Sequence, residues 1–189
     1  MKNPMIKNTV ILTVITLISG LLLGTVYGIT KEPIEKQIQE STLAAYKLVL
    51  PEAQDFEELT DLTYPITSEN GDVSIIVKGL GAGGEVVGYV VNVTNHESYG
   101  GDVTLAVGVN SDKTVGAIEV LEINDTPGLG MKAKDEDFKK RFVGTTLEGT
   151  DNADALTAMS GVDAISGATI TTSAVKRAVY AALKAVEDI

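Results

Sequence analysis

The feature that most constrains this chain is an apolar run near its start, Asn8–Thr30, whose 23 residues include no charged side chain. As a helix the run would rise about 34 Å, at ~1.5 Å per residue, which is enough to cross the hydrocarbon core of a bilayer. It is longer than the apolar part of a cleavable signal peptide, so we expect it to remain as an uncleaved anchor.

The charges around this run predict how the chain crosses the membrane. Two lysines precede the run, and Lys31 and Glu32 are the first charges after it. The positive-inside rule then assigns residues 1–7 to the cytoplasm and the rest of the chain to the outside. We therefore expect a single-pass protein of the cell (inner) membrane.

The remaining residues predict an α+β fold. Residues 31–72 are typical of a juxtamembrane helix ending at Pro51, followed by an acidic, turn-rich connection, and residues 73–189 form the expected extracytoplasmic domain. Runs rich in β-branched residues, separated by turn residues, predict a twisted and mainly antiparallel sheet. The expected strands are Val73–Lys78, Val86–Thr94, Asp102–Val109 and Thr114–Glu122, and the expected packing helices are Asp135–Phe142 and Ser173–Val186.

Composition excludes several classes of function. The formal net charge of −11 disfavours binding to nucleic acid, whose phosphates would be repelled. The absence of cysteine removes disulfides, iron–sulfur clusters and zinc–thiolate sites, and we predict no metal site. The single histidine, His96, is typical of a surface-loop residue, and no nucleophile elbow accompanies it as a hydrolase would require.

The stretch with the clearest chemical character is DAISGATITTSAV, residues 163–175. Ser166, Gly167 and Ala168 are small enough for the backbone to approach a bulky planar group, and glycine tolerates backbone angles that other residues avoid. The hydroxyls from Thr169 onward lie at the expected start of a helix, where unpaired amides and the positive dipole end favour an anion. These residues alone predict an anion near Thr169, with an ordinary helix N-cap as the alternative.

Two further segments are rich in turn residues. Residues 124–130, NDTPGLG, follow the last expected strand, and Tyr99 begins the Tyr-Gly-Gly segment before the strand Asp102–Val109. Taken alone, both segments are typical of loops that connect neighbouring strands.

Taken together, these motifs resemble a known family. SGAT followed by Ile-Thr is similar to the flavinylation motif of the FMN-binding domain, and NDTPGLG is similar to that domain's E-T-P-G-L-G loop, with aspartate replacing glutamate. The domain occurs in the G subunit of Rnf (Rsx) ion-translocating ferredoxin:NAD⁺ oxidoreductases and in the C subunit of Na⁺-translocating NADH:quinone reductases. Anchor, helix, sheet and motifs follow the family order along nearly the whole chain.

The resemblance implies a cofactor and a set of site residues. It implies FMN joined to Thr169 by a phosphoester bond and attached by a separate flavin transferase that uses FAD as donor. The other implied cofactor-binding residues belong to the same motifs, and they are Ser166, Gly167, Ala168, Thr171, Asp125, Thr126, Pro127, Gly128, Leu129, Gly130 and Tyr99.

The resemblance also implies a function. We expect an electron-transfer subunit that works with the other membrane and peripheral subunits of an Rnf complex, with no catalytic residues and no substrate turnover of its own. The chain length suits the Rnf G subunit better than the quinone-reductase C subunit, which stays an alternative together with a stand-alone extracytoplasmic FMN carrier. An alternative of a different class is a membrane-anchored binding module without redox chemistry.

Overall fold

The computed structural model describes residues 4–60, 65–149, 154–187 and 189. The chain divides into two compact units, of which the first ends at Thr42 and the second is Leu43–Ile189. The fold class is α+β, as the sequence predicts: a long N-terminal apolar helix and an antiparallel sheet with packed helices.

The first helix, α1, is Pro4–Val49. It is one continuous helix, where the sequence predicted a membrane helix followed by a separate juxtamembrane helix. Pro33 lies inside this helix. Lys, Glu and Gln around the proline favour helix, and they oppose the lost hydrogen bond and the steric clash that an interior proline causes. Within the described residues, α1 alone has the length and apolar composition needed to cross a membrane.

The second unit is built on a six-stranded sheet in which every observed pairing is antiparallel. Its strands are β1 Asp55–Glu58, β2 Ile66–Ser68, β3 Gly71–Leu80, β4 Val86–Ser98, β5 Gly101–Asn110 and β6 Val115–Ile123. The order is β1-β3-β4-β5-β6, and β2 also pairs with β3. The predicted strands Val86–Thr94, Asp102–Val109 and Thr114–Glu122 correspond to β4, β5 and β6, which are neighbours in the sheet.

Helices follow the sheet in the chain. Two 3₁₀ turns, Gly130–Lys134 and Lys140–Phe142, flank the short helix α2, Glu136–Lys139, at the place where a short helix was predicted. The helix α3 is Ala155–Ala158, and the last helix, α4, is Thr169–Glu187.

The sheet is covered on both faces. On one face, valines of β4 and β5 such as Val91 and Val107 are fully buried against α4, through residues such as Val175 and Val179. On the other face, the end of α1 packs on the sheet, in a second cluster formed by Ala45, Tyr46, Val49, Leu50, Ala53, Val77, Val90 and Ala106. Because side chains alternate along a strand, Val90 and Val91 serve opposite faces.

Glycines in the sheet allow the end of α1 to come close. A β-carbon at Gly108 would overlap the carbonyl oxygen of Val49, and one at Gly79 would overlap the Leu50 side chain. Gly108 lies near the end of β5 that leads into β6. Gly79 of β3 lies at the same end of the sheet, because it pairs with Gly88 of β4, which pairs with Asn110 of β5. The opposite end of β5 adjoins the turn after Ser98.

Three predicted features differ from the structure. The sheet begins before the expected domain start at residue 73. The strands β1 and β2 were not predicted, because they are short, mostly exposed and show no apolar alternation. Helix α4 begins at Thr169 and not at Ser173, because Thr171 and Thr172 are buried and hydrogen-bonded in its first turn. His96 lies in β4 and not in a loop.

Candidate functional site

The motifs meet around one cleft of about 460 Å³. It lies between the turn after β4, the loop after β6 and the start of α4, and this volume is within the usual range for small-molecule sites. Its lining residues are Tyr99, Asp125, Thr126, Leu129, Gly130, Gly167, Ala168, Thr169, Ile170 and Thr171. Nine of the twelve residues predicted from the sequence therefore line one cleft.

Thr169 is the first residue of α4, and its side chain is exposed. The preceding turn is tied back onto the helix, because the Thr172 hydroxyl accepts a hydrogen bond from the Ile165 amide at 3.1 Å and donates one to the Ala168 carbonyl at 2.9 Å. Gly167 has a φ of 77°, in the left-handed region that favours glycine. The SGAT turn thus delivers Thr169 to the cleft at a helix N-terminus, where first-turn amides lack intrahelical partners.

The Asp125 carboxylate joins three segments of the chain. Its Oδ2 accepts hydrogen bonds from the Thr171 hydroxyl at 2.6 Å and from the Ser98 hydroxyl at 3.2 Å. Its Oδ1 accepts from the Thr126 amide at 2.6 Å. Burial favours the neutral acid, but hydrogen bonds from Thr171, Thr126, Ser98 and the Gly100 amide outweigh it and lower the pKa of Asp125. The carboxylate is therefore a fixed negative charge in the cleft wall.

Tight glycine turns bring the two motif loops together. Gly128 has a φ of 78°, and the Leu129 and Met131 amides both bond back to the Thr126 carbonyl. A β-carbon at Gly130 would overlap the Asp125 carboxylate, and one at Gly167 would approach the Leu129 side chain to 3.0 Å. Larger residues at either glycine would push the loops apart or fill the cleft.

The lining differs from the sequence prediction in four residues. Ser166, Pro127 and Gly128 lie in the predicted loops but do not line the cleft, whereas Ile170 lines it and was not predicted. Ile170 is 55% exposed although it is a large apolar residue. Its position directly after Thr169 in the SGAT-Ile-Thr segment was the signal that could have identified it.

The residues present fit a group that has a planar ring and a phosphate. Three exposed apolar side chains, Tyr99, Leu129 and Ile170, lie at the cleft and offer contacts for a planar ring. The Thr169 hydroxyl makes no hydrogen bond to another described residue, and it sits where the positive end of a 19-residue helix favours a phosphate.

Two family descriptions match the chain. The FMN-binding domain matches residues 98–184, and the RnfG N-terminal region matches residues 1–49. The first includes every predicted site residue, and the second includes all of α1.

Individual proteins with similar sequences belong to the same group. The G subunit of the ion-translocating oxidoreductase complex of Methanosarcina acetivorans is 34% identical, over 94% of this chain and 92% of that protein. The G subunit of the Na⁺-translocating ferredoxin:NAD⁺ oxidoreductase complex of Acetobacterium woodii is 29% identical, over 97% of this chain and 92% of that protein.

A solved structure supports the fold alone. The crystal structure of Shewanella oneidensis NqrC superposes with a TM-score of 0.51 at 21% identity, covering 72% of this chain and 74% of that chain. The family inferred from the SGAT and TPGLG segments is confirmed by the sequence matches and not by this likeness. The chain belongs to the RnfG family, the G subunits of membrane-bound ion-translocating oxidoreductase complexes, and it carries that family's FMN-binding domain.

Proposed function

We propose that this chain carries one FMN, esterified through its phosphate to Thr169, and transfers electrons within an ion-translocating ferredoxin:NAD⁺ oxidoreductase complex. The observation that carries the proposal is the position of Thr169. Its hydroxyl is exposed at the start of α4 and opens on the cleft where the SGAT turn and the TPGLG loop meet.

The attachment reaction requires one nucleophile from this chain. The Thr169 oxygen attacks the flavin-side phosphorus of FAD, the pyrophosphate bond breaks, AMP leaves, and the hydroxyl proton is released. A flavin transferase supplies the catalytic groups, so the chain only has to present an accessible hydroxyl. The resulting diester carries one negative charge in place of the two of a free phosphate, which favours its retention in a chain of formal net charge −11.

When bound, FMN accepts and releases one or two electrons, and the protein sets its position and electrostatic surroundings. In the proposed arrangement the SGAT turn holds the phosphate, and Tyr99, Leu129 and Ile170 contact the ring.

We also propose an extracytoplasmic position for the domain. The lysines before Asn8 favour a cytoplasmic N-terminus. A covalent bond suits this position, because a cofactor that dissociated outside the cell would be lost by dilution. The partners are the other membrane and peripheral subunits of the complex, together with the flavin transferase during maturation.

The variant Thr169→Val tests the attachment site. It keeps the side-chain shape but removes the oxygen, so we expect complete loss of covalent flavin after co-expression with a flavin transferase. The measurements are intact mass, where the wild-type chain gains one FMN minus one water, and flavin fluorescence in a denaturing gel.

The matched control is Thr67→Val, which changes an exposed threonine of β2 and should leave the labelling unchanged. Fluorescence that survives denaturation in the Thr169→Val chain would contradict the assignment of Thr169. A wild-type chain without flavin would favour the anchored binding module that has no redox role.

A further inference from the structure

One hydrogen bond joins the two flavin motifs across 46 positions of the chain. The Thr171 hydroxyl donates to Asp125 Oδ2 at 2.6 Å. Thr171 is 1% exposed, in contrast to the exposed Thr169 two residues earlier. The bond therefore connects the inner side of the first turn of α4 to the loop after β6.

We propose that Asp125 and Thr171 are positioning residues that hold the first turn of α4, so that the Thr169 hydroxyl is presented to the flavin transferase. This inference rests on the proposed function, because it concerns how efficiently that attachment site is used. It assigns to the two residues a role before the flavin is bound.

The first turn of α4 needs such an anchor. The first residues of a helix lack intrahelical partners for their amides, and helix ends fray. Threonine also has a low helix propensity, and three of the first four residues of α4 are threonines. A short hydrogen bond to an ionised carboxylate is among the stronger polar contacts, so it can hold this turn against fraying.

The anchor is itself held in place. Asp125 accepts further hydrogen bonds from Ser98 and from the Thr126 amide, and Gly130 packs directly against its carboxylate. The carboxylate is therefore restrained independently of the helix, by Ser98 and by its own loop. The bond therefore restrains the helix start against the sheet.

Thr171 acts on Thr169 through the backbone. Residues two positions apart in a helix point in directions about 200° apart, so the two side chains lie on different sides of α4. Loss of the Thr171 bond would leave the Thr169 hydroxyl chemically unchanged but less precisely placed. Misplacement of a reacting group by about 1 Å can cost up to 100-fold in rate.

The test measures the rate of flavin attachment to the full-length chain in detergent, with purified flavin transferase and FAD. We expect Thr171→Val to slow attachment by about tenfold. Thr171→Ser keeps the donor and should restore the rate to within about twofold. The matched control is Thr104→Val, which removes the hydroxyl contact between Thr94 and Thr104 in the sheet and should attach flavin at the wild-type rate.

The variant Asp125→Asn tests the acceptor. We expect it to slow attachment to a similar degree. The double variant with Thr171→Val should be no slower than the slower single variant, because the two substitutions disrupt the same hydrogen bond. Circular dichroism melting of each unlabelled chain gives the folded fraction, to which the rates are normalised. If Thr171→Val does not fold, Asp125→Asn and Thr171→Ser decide the question.

Wild-type rates for Thr171→Val or Asp125→Asn, or equal slowing by Thr104→Val, would overturn the inference and leave the proposed function intact. Failure of Thr171→Ser to restore the rate would overturn it as well. A wild-type chain that accepts no flavin under these conditions would instead contradict the proposed function.

Discussion

At the scale of single residues, Asp125 is a charged group in the wall of a small cleft. Its hydrogen-bond donors keep it ionised, and its lowered pKa means that this charge persists at neutral and mildly acidic pH. Within the described residues no lysine or arginine forms an ion pair with it. The negative charge of Asp125 is therefore not neutralised by a neighbouring cation and influences any ligand bound in the cleft.

The first prediction concerns this charge. Asp125→Asn should raise the midpoint potential of the attached flavin, because added electrons are less stable beside a negative charge than beside a neutral amide. For a two-electron couple, a tenfold shift in the equilibrium corresponds to about 30 mV, and we expect a change of this order. The measurement is a spectroelectrochemical titration of the fully labelled chain. Glu148→Gln, which neutralises an exposed carboxylate outside the cleft lining, is the control, and an unchanged titration curve in Asp125→Asn would contradict the prediction.

The sequence predicted most residues of this cleft but not how they are connected. The resemblance to the FMN-binding domain identified the SGAT and TPGLG segments, whereas their glycines and proline taken alone predict only turns. The bond between Thr171 and Asp125 was not predictable, because it depends on how β6 and α4 pack in three dimensions. Ile170 was missed because the last helix was expected to begin at Ser173, which left Ile170 outside the predicted helix.

At the scale of elements, His96 connects three neighbouring strands. It lies in β4, and its ring nitrogens are 3.2 Å from an Asp72 oxygen in β3 and 2.8 Å from an Asp102 oxygen in β5. Hydrogen bonds to Asp102 and then to Asp72 raise the pKa of His96. The strand was predicted to end before His96, because polar residues at an exposed strand end resemble a loop.

The second prediction follows from this raised pKa. The stabilisation by charged His96 is complete below the unfolded pKa of about 6.5 and is lost as the pH rises through the folded value. Because the His96 side chain is 53% exposed, we expect about 0.5 kcal/mol or less. Urea unfolding at pH 5.5 and pH 8.5 measures this loss, and His96→Gln should remove that part of the pH dependence. An equal pH dependence in both chains would show that other groups cause it.

Lys139 connects α2 to β6 in a less exposed setting. Its ammonium group is 2.6 Å from carboxylate oxygens of both Glu119 and Glu136, and its side chain is 9% exposed. Burial favours the neutral amine, but the hydrogen bonds to Glu119 and Glu136 outweigh it and raise the pKa of Lys139.

The third prediction is that Lys139→Met destabilises the domain by about 1–2 kcal/mol, because it leaves the partly buried Glu119 carboxylate without its partner. Urea unfolding measures the change, and Lys134→Met, which replaces an exposed lysine, is the control with little expected effect. A double variant that also carries Glu119→Gln should recover part of the loss. If Lys139→Met is as stable as the wild-type chain, the ion pair does not contribute to stability.

At the scale of the whole molecule, the sheet and the last helix that packs on one face were predictable, and the covering of the other face was not. Alternating β-branched residues identified β4, β5 and β6, whereas nothing in the sequence indicated that residues 43–50 cover one face of the sheet. Gly79 and Gly108 look like ordinary turn or strand glycines until their close contacts with Leu50 and Val49 are seen. The second unit therefore begins at Leu43 and includes the last turns of a helix that starts near the N-terminus.

The last prediction uses this boundary. A chain shortened to Leu43–Ile189 keeps the second cluster, so it should be soluble and folded and should accept flavin at the wild-type rate, because the cleft adjoins the opposite end of β5. A chain that begins at Pro51 lacks Tyr46, Val49 and Leu50, which are 6%, 1% and 2% exposed. At about 1.5–3 kcal/mol for each buried side chain, it should lose roughly 5 kcal/mol of stability and expose Val77 and Val90 to solvent. Urea unfolding and light scattering of the two shortened chains measure the difference, and equal stability would mean that the end of α1 is not part of the folded domain.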